Sequence, residues 1–290
     1  MSHGTLSTYA GKAASARRRV RRRIARWAAA DIAAELRETR RQLRSSRRKL
    51  RETRAQLRDA QAQLAEAARP LPPEVDRIIA RVRAEHLTFV NDGALRELAT
   101  VVLDLESAGL PGTLVEAGTA RGGSAIVMAA AKAPERPMKA YDVFGLIPAP
   151  GDRDGPDVHR RYEKIAGGGA KGPGGELYYG YRDDLYHEVE DAFARHGVPV
   201  GEHKVELVRG LFEDTIVLDE PVALAHLDGD WYESTMTCLT RIAPLLVPGG
   251  RLVLDDYYTW SGCREAVDEY FAGRDEFRLE RRTKLHVIRG

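Results

Sequence analysis

The strongest chemical signal in this 290-residue chain is a group of four aspartates in its C-terminal third. The segment AHLDGDWYEST ends an apolar run with Asp228 and adds Asp230 two residues on, and LVLDDYY ends the next such run with Asp255 and Asp256. Like charges gathered in one cleft repel unless neutralised, so a convergence of three or four of these carboxylates implies a cation. Oxygen ligands without a cysteine or histidine cluster favour magnesium, manganese or calcium over zinc. The competing duty for each aspartate is to cap the helix that follows its strand.

A second constellation lies upstream in LVEAGTARGGSAIVMAAA, residues 114–131. It reads as an apolar strand, a turn bearing Gly118, Gly122 and Gly123, and a helix opened by Ser124, with Glu116 at the strand end. Glycines let the backbone pass close to a ligand, and the helix amides beyond them accept anionic groups. The turn departs from the G-x-G-x-x-G spacing of dinucleotide binders, which argues against a nicotinamide oxidoreductase. Asp142 ends the next apolar run, where an acidic side chain grips ribose hydroxyls.

These residues need a frame that brings strand ends together. From about residue 74 short apolar runs alternate with helical stretches, the pattern of a parallel sheet wrapped by helices. Strands are expected at 113–117, 138–142, 204–209, 222–228 and 251–256, with a final pair near 277–280 and 284–288. Ligand crevices of such sheets lie at the carboxyl ends of the strands, so the aspartates converge if their two strands are neighbours. Residues 145–183 hold ten glycines with prolines among them, and so long an excursion inside a domain reads as a lid or binding loop.

Hydrophobic residues make up 43% of the chain and charged ones 30%, which suits a core with a solvated surface. No apolar run approaches the roughly 20 residues that span a bilayer, and the arginines near the N-terminus precede no apolar stretch of a secretory signal, so a cytoplasmic protein is expected. Cys238 and Cys263 fit no disulfide framework or metal spacing and read as reduced thiols.

The net charge of +2 conceals a division, because residues 1–69 hold 19 Lys/Arg against 6 Asp/Glu. Three prolines in four positions, at 70–73, end this basic arm and open a domain over 70–290. Within 31–69, Leu36, Leu43, Leu50, Leu57 and Leu64 recur every seven residues, a coiled-coil stripe that favours a homo-oligomer. The facing seam of Thr39, Ser46, Thr53, Ala60 and Ala67 buries little, which makes the coil weak. Within 1–30, Val20, Ile24 and Trp27 fall at helical spacing among seven arginines, a pattern for peripheral contact with an anionic membrane, here the inner face. The arm contains no asparagine to read bases, which argues against sequence-specific nucleic acid.

Taken together, the segments EAGTARGGS, VRGLFEDT and HLDGDWYEST followed by LVPGGRLVLDDY resemble the macrocin (TylF-like, mycinamicin-type) O-methyltransferase family over roughly residues 75–290. The resemblance implies an α/β fold, a Rossmann-like class I methyltransferase sheet of seven strands flanked by helices, to which this chain adds its N-terminal helical arm. It implies S-adenosylmethionine with its methionine end along Glu116, Gly118, Gly122, Gly123 and Ser124, its ribose on Asp142 and its adenine near Gly210 and Phe212. It also implies Asp228, Asp255 and Asp256 as ligands of Mg2+ or Mn2+, with a sugar or glycosylated natural product as the hydroxyl acceptor.

A base must then take the acceptor's proton, and Asp228, Asp230 and His226 are the candidates, Asp228 the favoured one. Trp231 and Tyr257 either shape the acceptor pocket or pack the core. Two other readings stand beside this one: a catechol-type phenolic acceptor, and a catalytically silent scaffold that docks through the basic coil. The arginine-rich heptad arm and the glycine-heavy lid depart from the family pattern.

Overall fold

The structure, a computed structural model, describes residues 41–50, 53–54 and 70–290. The chain divides into two units, Met1–Ala65 and Glu66–Gly290. In the first, residues 41–50 are helical with Leu43 and Leu50 half exposed. The basic segment 1–30, with Val20, Ile24 and Trp27, and the heptad leucines Leu36, Leu57 and Leu64 lie outside the described residues.

The second unit is built on seven strands: β1 (Thr113–Ala117), β2 (Met138–Asp142), β3 (Val205–Arg209), β4 (Val222–Leu227), β5 (Leu246–Leu254), β6 (Phe277–Arg281) and β7 (Leu285–Arg289). Their order is β3-β2-β1-β4-β5-β7-β6. The first five are parallel, and β7 runs antiparallel to both β5 and β6. β1 and β4 are buried along their whole length, which is why they read as unbroken apolar runs rather than alternating ones. Every strand expected from the sequence is present, β5 starting five residues earlier than expected.

Eight helices in the second unit bear on the argument: α1 (Pro73–Ala84), α2 (Asp92–Ser107), α3 (Gly123–Ala131), α4 (Pro156–Ala166), α5 (Leu185–Arg195), α6 (Phe212–Thr215), α7 (Tyr232–Ile242) and α8 (Ser261–Phe271). Alternate strand residues feed two cores. Leu114 and Leu224 pack with Ile79, Leu95 and Ile126 of α1 to α3, while Val115 and Ala225 pack with Leu239 and Phe271 of α7 and α8. The result is three layers, helix, sheet and helix. Truncating a fully buried residue such as Ile79 would cost about 2–5 kcal/mol. Cys238 and Cys263 are free thiols in the second core, as expected. No helix of the described residues is long and apolar enough to cross a membrane.

Two features of this topology position the site. The chain leaves β1 toward β2 and β3, then returns to β4 on the other side, so the loops after β1 and β4 part and open a crevice at the carboxyl ends. Over that crevice lies the glycine-rich segment 145–183, which holds α4 and two short 3-10 turns, Pro173–Gly175 and Tyr179–Tyr181. It has a small core of its own, in which Ile165, Ala170 and Tyr178 are buried. Among the hydrogen bonds that tie it down, Trp231 Nε1 donates to the Pro148 carbonyl (3.0 Å), Tyr232 N to Asp154 Oδ1 (2.9 Å) and Ser261 N to Asp157 Oδ2 (3.0 Å).

Candidate functional site

The exits of β1 and β4 nearly touch. Asp228 N donates to the Ala117 carbonyl at 2.8 Å, and Gly118, at φ +96°, faces the Asp228 carbonyl so closely that a Cβ would fall 2.0 Å from its oxygen. Only glycine fits there, both for backbone angle and for space. The turn that follows is clasped from the tip of β2. Asp142 Oδ2 accepts from Thr119 N and Ala120 N, both at 2.8 Å, and Oδ1 accepts from Phe144 N at 2.7 Å. Burial lifts the Asp142 carboxyl to about 6, and the three amides oppose that rise.

Asp228, Asp255 and Asp256 follow the tips of β4 and β5, which are neighbours, and offer oxygens within 4.8 Å of one another. The tips are locked by Asp255 N donating to the Leu227 carbonyl at 2.9 Å. Burial pushes the Asp228 and Asp256 carboxyls well above the usual range, reinforced by neighbouring aspartates. Asp255 is held low: burial acts to raise it, but His226 and Lys284 outweigh that. Asp230, in the left-handed region at φ 57°, donates its amide to Asp256 Oδ2 (3.1 Å) and accepts from Trp260 Nε1 on Oδ1 (2.8 Å). Burial and the adjacent Asp228 charge raise it to about 8.

His226 is buried inside the sheet, with Nδ1 at 3.0 Å from Glu116 Oε1 and Nε2 at 3.6 Å from Asp255 Oδ1. Burial alone would lower its pKa, but the two carboxylates carry it to about 10. Glu116 is completely buried, lines neither lobe of the crevice and turns Oε1 to His226, while its Oε2 has no hydrogen-bond partner.

The crevice has two lobes that share Gly118, Asp142, Tyr179, Asp228 and Asp230. One is walled by Ile147, Pro148, Phe212 and Trp231. The other holds Asp255 and Asp256 and is bordered by Phe89, Arg161, Trp260 and Lys284. Of the residues expected to bind cofactor, Gly118, Asp142 and Phe212 line the first lobe. Gly122, Gly123, Ser124 and Gly210 line neither lobe. Gly122, at φ +88°, starts α3, where Ser124 is buried; a Cβ on Gly123 would lie 2.7 Å from Thr88 Cβ; Gly210 N donates to the Asp142 carbonyl at 2.9 Å. Trp231 lines the first lobe, whereas Tyr257 is core, its hydroxyl donating to Asp268.

Four lining residues carried no signal in sequence. Arg161, Tyr178 and Tyr179 come from the glycine-rich cover, whose glycines mask the one short helix that carries Arg161, and Lys284 immediately precedes β7, far in sequence from the aspartate it joins.

The sequence model of the family described as Macrocin-O-methyltransferase (TylF) matches residues 29–171 and 175–279. Over 200 residues the chain is 30% identical to demethyldecarbamoylnovobiocin O-methyltransferase of Streptomyces niveus, a match spanning 65% of this chain and 69% of that protein. Over 190 residues it is 32% identical to 8-demethyl-8-(2,3-dimethoxy-alpha-L-rhamnosyl)-tetracenomycin-C 4'-O-methyltransferase of Streptomyces olivaceus, spanning 63% and 67%. Among solved structures it shares the fold of the O-methyltransferase NovP, with TM-score 0.60, 24% identity and coverage of 74% of this chain and 97% of that one.

Proposed function

The chain belongs to the macrocin O-methyltransferase family and is an O-methyltransferase, and we propose that it transfers the methyl group of S-adenosylmethionine to a hydroxyl of a sugar or glycosylated natural product, with magnesium or manganese held by Asp228, Asp255 and Asp256. One observation carries this reading: three carboxylates from neighbouring strand tips meet in the lobe adjoining the glycine turn. The donor set fits a hard divalent ion, being all oxygen, and Asp255 Oδ1 is buried without a hydrogen-bond partner. The acceptor class is supported by the Streptomyces olivaceus relative, whose name specifies methylation on a rhamnosyl unit.

S-adenosylmethionine supplies an electrophilic methyl group, and the cation, when bound, lowers the acceptor hydroxyl's pKa and fixes its direction. The chain does the rest. Gly118 lets the β1 and β4 exits come together at the floor of the crevice, and Asp142, fixed by three amides, retains lone pairs for ribose hydroxyls. Phe212 and Trp231 wall the cofactor lobe, while Tyr178 and Tyr179 of the cover exclude water from the acceptor lobe. Asp230 takes the proton: Trp260 anchors its Oδ1, the carboxylate lines both lobes, and Oδ2 is left to face the acceptor. That assignment revises the preference for Asp228, which belongs to the ligand trio, and sets aside His226, whose two ring nitrogens both face carboxylates. Glu116, held by His226, supports the turn from beneath instead of meeting the cofactor.

The test is the double variant Asp255→Ala with Asp256→Ala, assayed with labelled S-adenosylmethionine, added magnesium, and glycoside and catechol acceptors in parallel. Undiminished turnover in the folded variant refutes the cation centre, and turnover of catechols alone refutes the sugar acceptor. The basic segment 1–30 and the heptad leucines support a second proposal, self-association and contact with anionic membrane. Deleting residues 1–69 should abolish flotation with anionic vesicles and leave S-adenosylmethionine affinity unchanged.

A further inference from the structure

The tip of β5 faces a lysine that the chemistry above leaves unused. β5 and β7 run antiparallel with Leu254 opposite Leu285, so one step further the sheet sets Asp255 opposite Lys284. There Lys284 Nζ lies 2.7 Å from Asp255 Oδ2 and donates to the Asp255 carbonyl oxygen at 3.0 Å. Both side chains are mostly buried, 17% and 12% exposed. A carboxylate held this way can rotate only by breaking a charge-assisted hydrogen bond in partly dry surroundings.

The other oxygen, Oδ1, has no hydrogen-bond partner and lies 3.6 Å from His226 Nε2. His226 is anchored in turn to Glu116, its register partner across β1 and β4. Asp255 therefore stands between two basic groups, His226 inside the sheet and Lys284 at the crevice. Left to His226 alone, the carboxylate would lose the short contact that fixes its rotation.

We propose that Lys284 is a positioning residue for the acidic centre: by holding Asp255 through both Oδ2 and the main-chain carbonyl it fixes the direction in which that carboxylate meets a divalent cation. The proposal rests on the reading that Asp228, Asp255 and Asp256 hold that ion. Charge alone predicts the reverse result, because an ammonium beside the centre repels an incoming cation and its removal would tighten binding. The sign of the effect therefore separates positioning from simple counter-charge.

The measurement is calorimetric titration of Mn2+ into the full chain, with S-adenosylmethionine affinity followed alongside. Lys284→Met should weaken Mn2+ binding about tenfold or more, the usual scale for losing a group that orients a ligand. Cofactor affinity should stay constant, and Lys284→Arg, which keeps a donor on Oδ2, should recover most of the loss. In an Asp255→Asn background, Lys284→Met should add nothing further, since the carboxylate it positions is gone. Equal or tighter Mn2+ binding by Lys284→Met overturns the proposal, as does an additive loss in the Asp255→Asn background. Where the methionine variant does not fold, Lys284→Gln takes its place with the same two outcomes. An unsubstituted chain that takes up no Mn2+ sinks the cation centre itself and this proposal with it, whereas uptake equal in both chains sinks only the role of Lys284.

Discussion

At the tip of β2 one carboxylate, Asp142, accepts three backbone amides, while at the tips of β4 and β5 four aspartates share one indole, one backbone amide, one lysine and a more distant histidine. Both groups crown the same sheet and border the same crevice. The first has three amides that offset part of the cost of its burial and bind it to one turn. The second is crowded and under-partnered, with Asp228 and Asp256 driven up by burial and by other aspartates of the group, Asp256 and Asp255 acting on the first and Asp230 and Asp255 on the second, which is the condition a cation relieves. A carboxylate's partners, more than its place at a strand end, separate structural from chemical duty.

The sharpest way to break this contrast is to delete each group and read stability apart from turnover. Replacing Asp255 and Asp256 together by alanine should lower methyl transfer by about 10³-fold or more, several kcal/mol of transition-state stabilisation. The melting temperature without added cation should hold in Asp256→Ala alone, which removes a carboxylate that burial disfavours and spares the pairs of Asp255 with Lys284 and His226; a large fall would mean that the cluster serves the fold. Asp142→Ala should do the opposite and destabilise the fold by about 3 kcal/mol, because buried amides lose their acceptor. Denaturant unfolding measures this, and an unchanged midpoint would dissolve the distinction.

Smaller changes sharpen it. Gly118→Ala drives a Cβ against the Asp228 carbonyl and should cost about 1–3 kcal/mol while loosening S-adenosylmethionine binding, both measurable on the purified variant. The smallest effect is one of pH. Asp142 titrates at about 6 in the fold against an ordinary 3.8, so between those values the folded chain keeps a proton that the unfolded chain has released. Acidification through that window therefore adds stability through this group, and ionisation above it takes that increment away. Melting curves at pH 6.5 and 4.5 should show Asp142→Asn without this gain; identical pH responses would discount it.

Much of the frame was legible because it is local. The buried central strands announce themselves as short apolar runs, whereas the edge strands β3 and β6 alternate apolar with charged residues, and Asp228 and the Asp255–Asp256 pair mark two strand ends. The helix α4 was hidden, since glycines on both sides mask an 11-residue amphipathic stretch that Gly155 and Pro156 open. Glu116 reads as a cofactor contact because it ends a strand before a glycine turn. Its partner His226 lies 110 residues away, and only the pairing of β1 with β4 sets them side by side. Lys284 escaped for the same reason, being opposite Asp255 only through the antiparallel register of β5 and β7.

By itself, then, the sequence determined the layered α/β architecture, the glycine turn and the stock of carboxylates, all of which follow from residue type and spacing over a few positions. The tertiary structure alone decided which of those carboxylates meet, which oxygens are already held and which face the crevice. Strand order and register join residues far apart in the chain, and a side chain's partners, unlike its type, are set only when those strands pair.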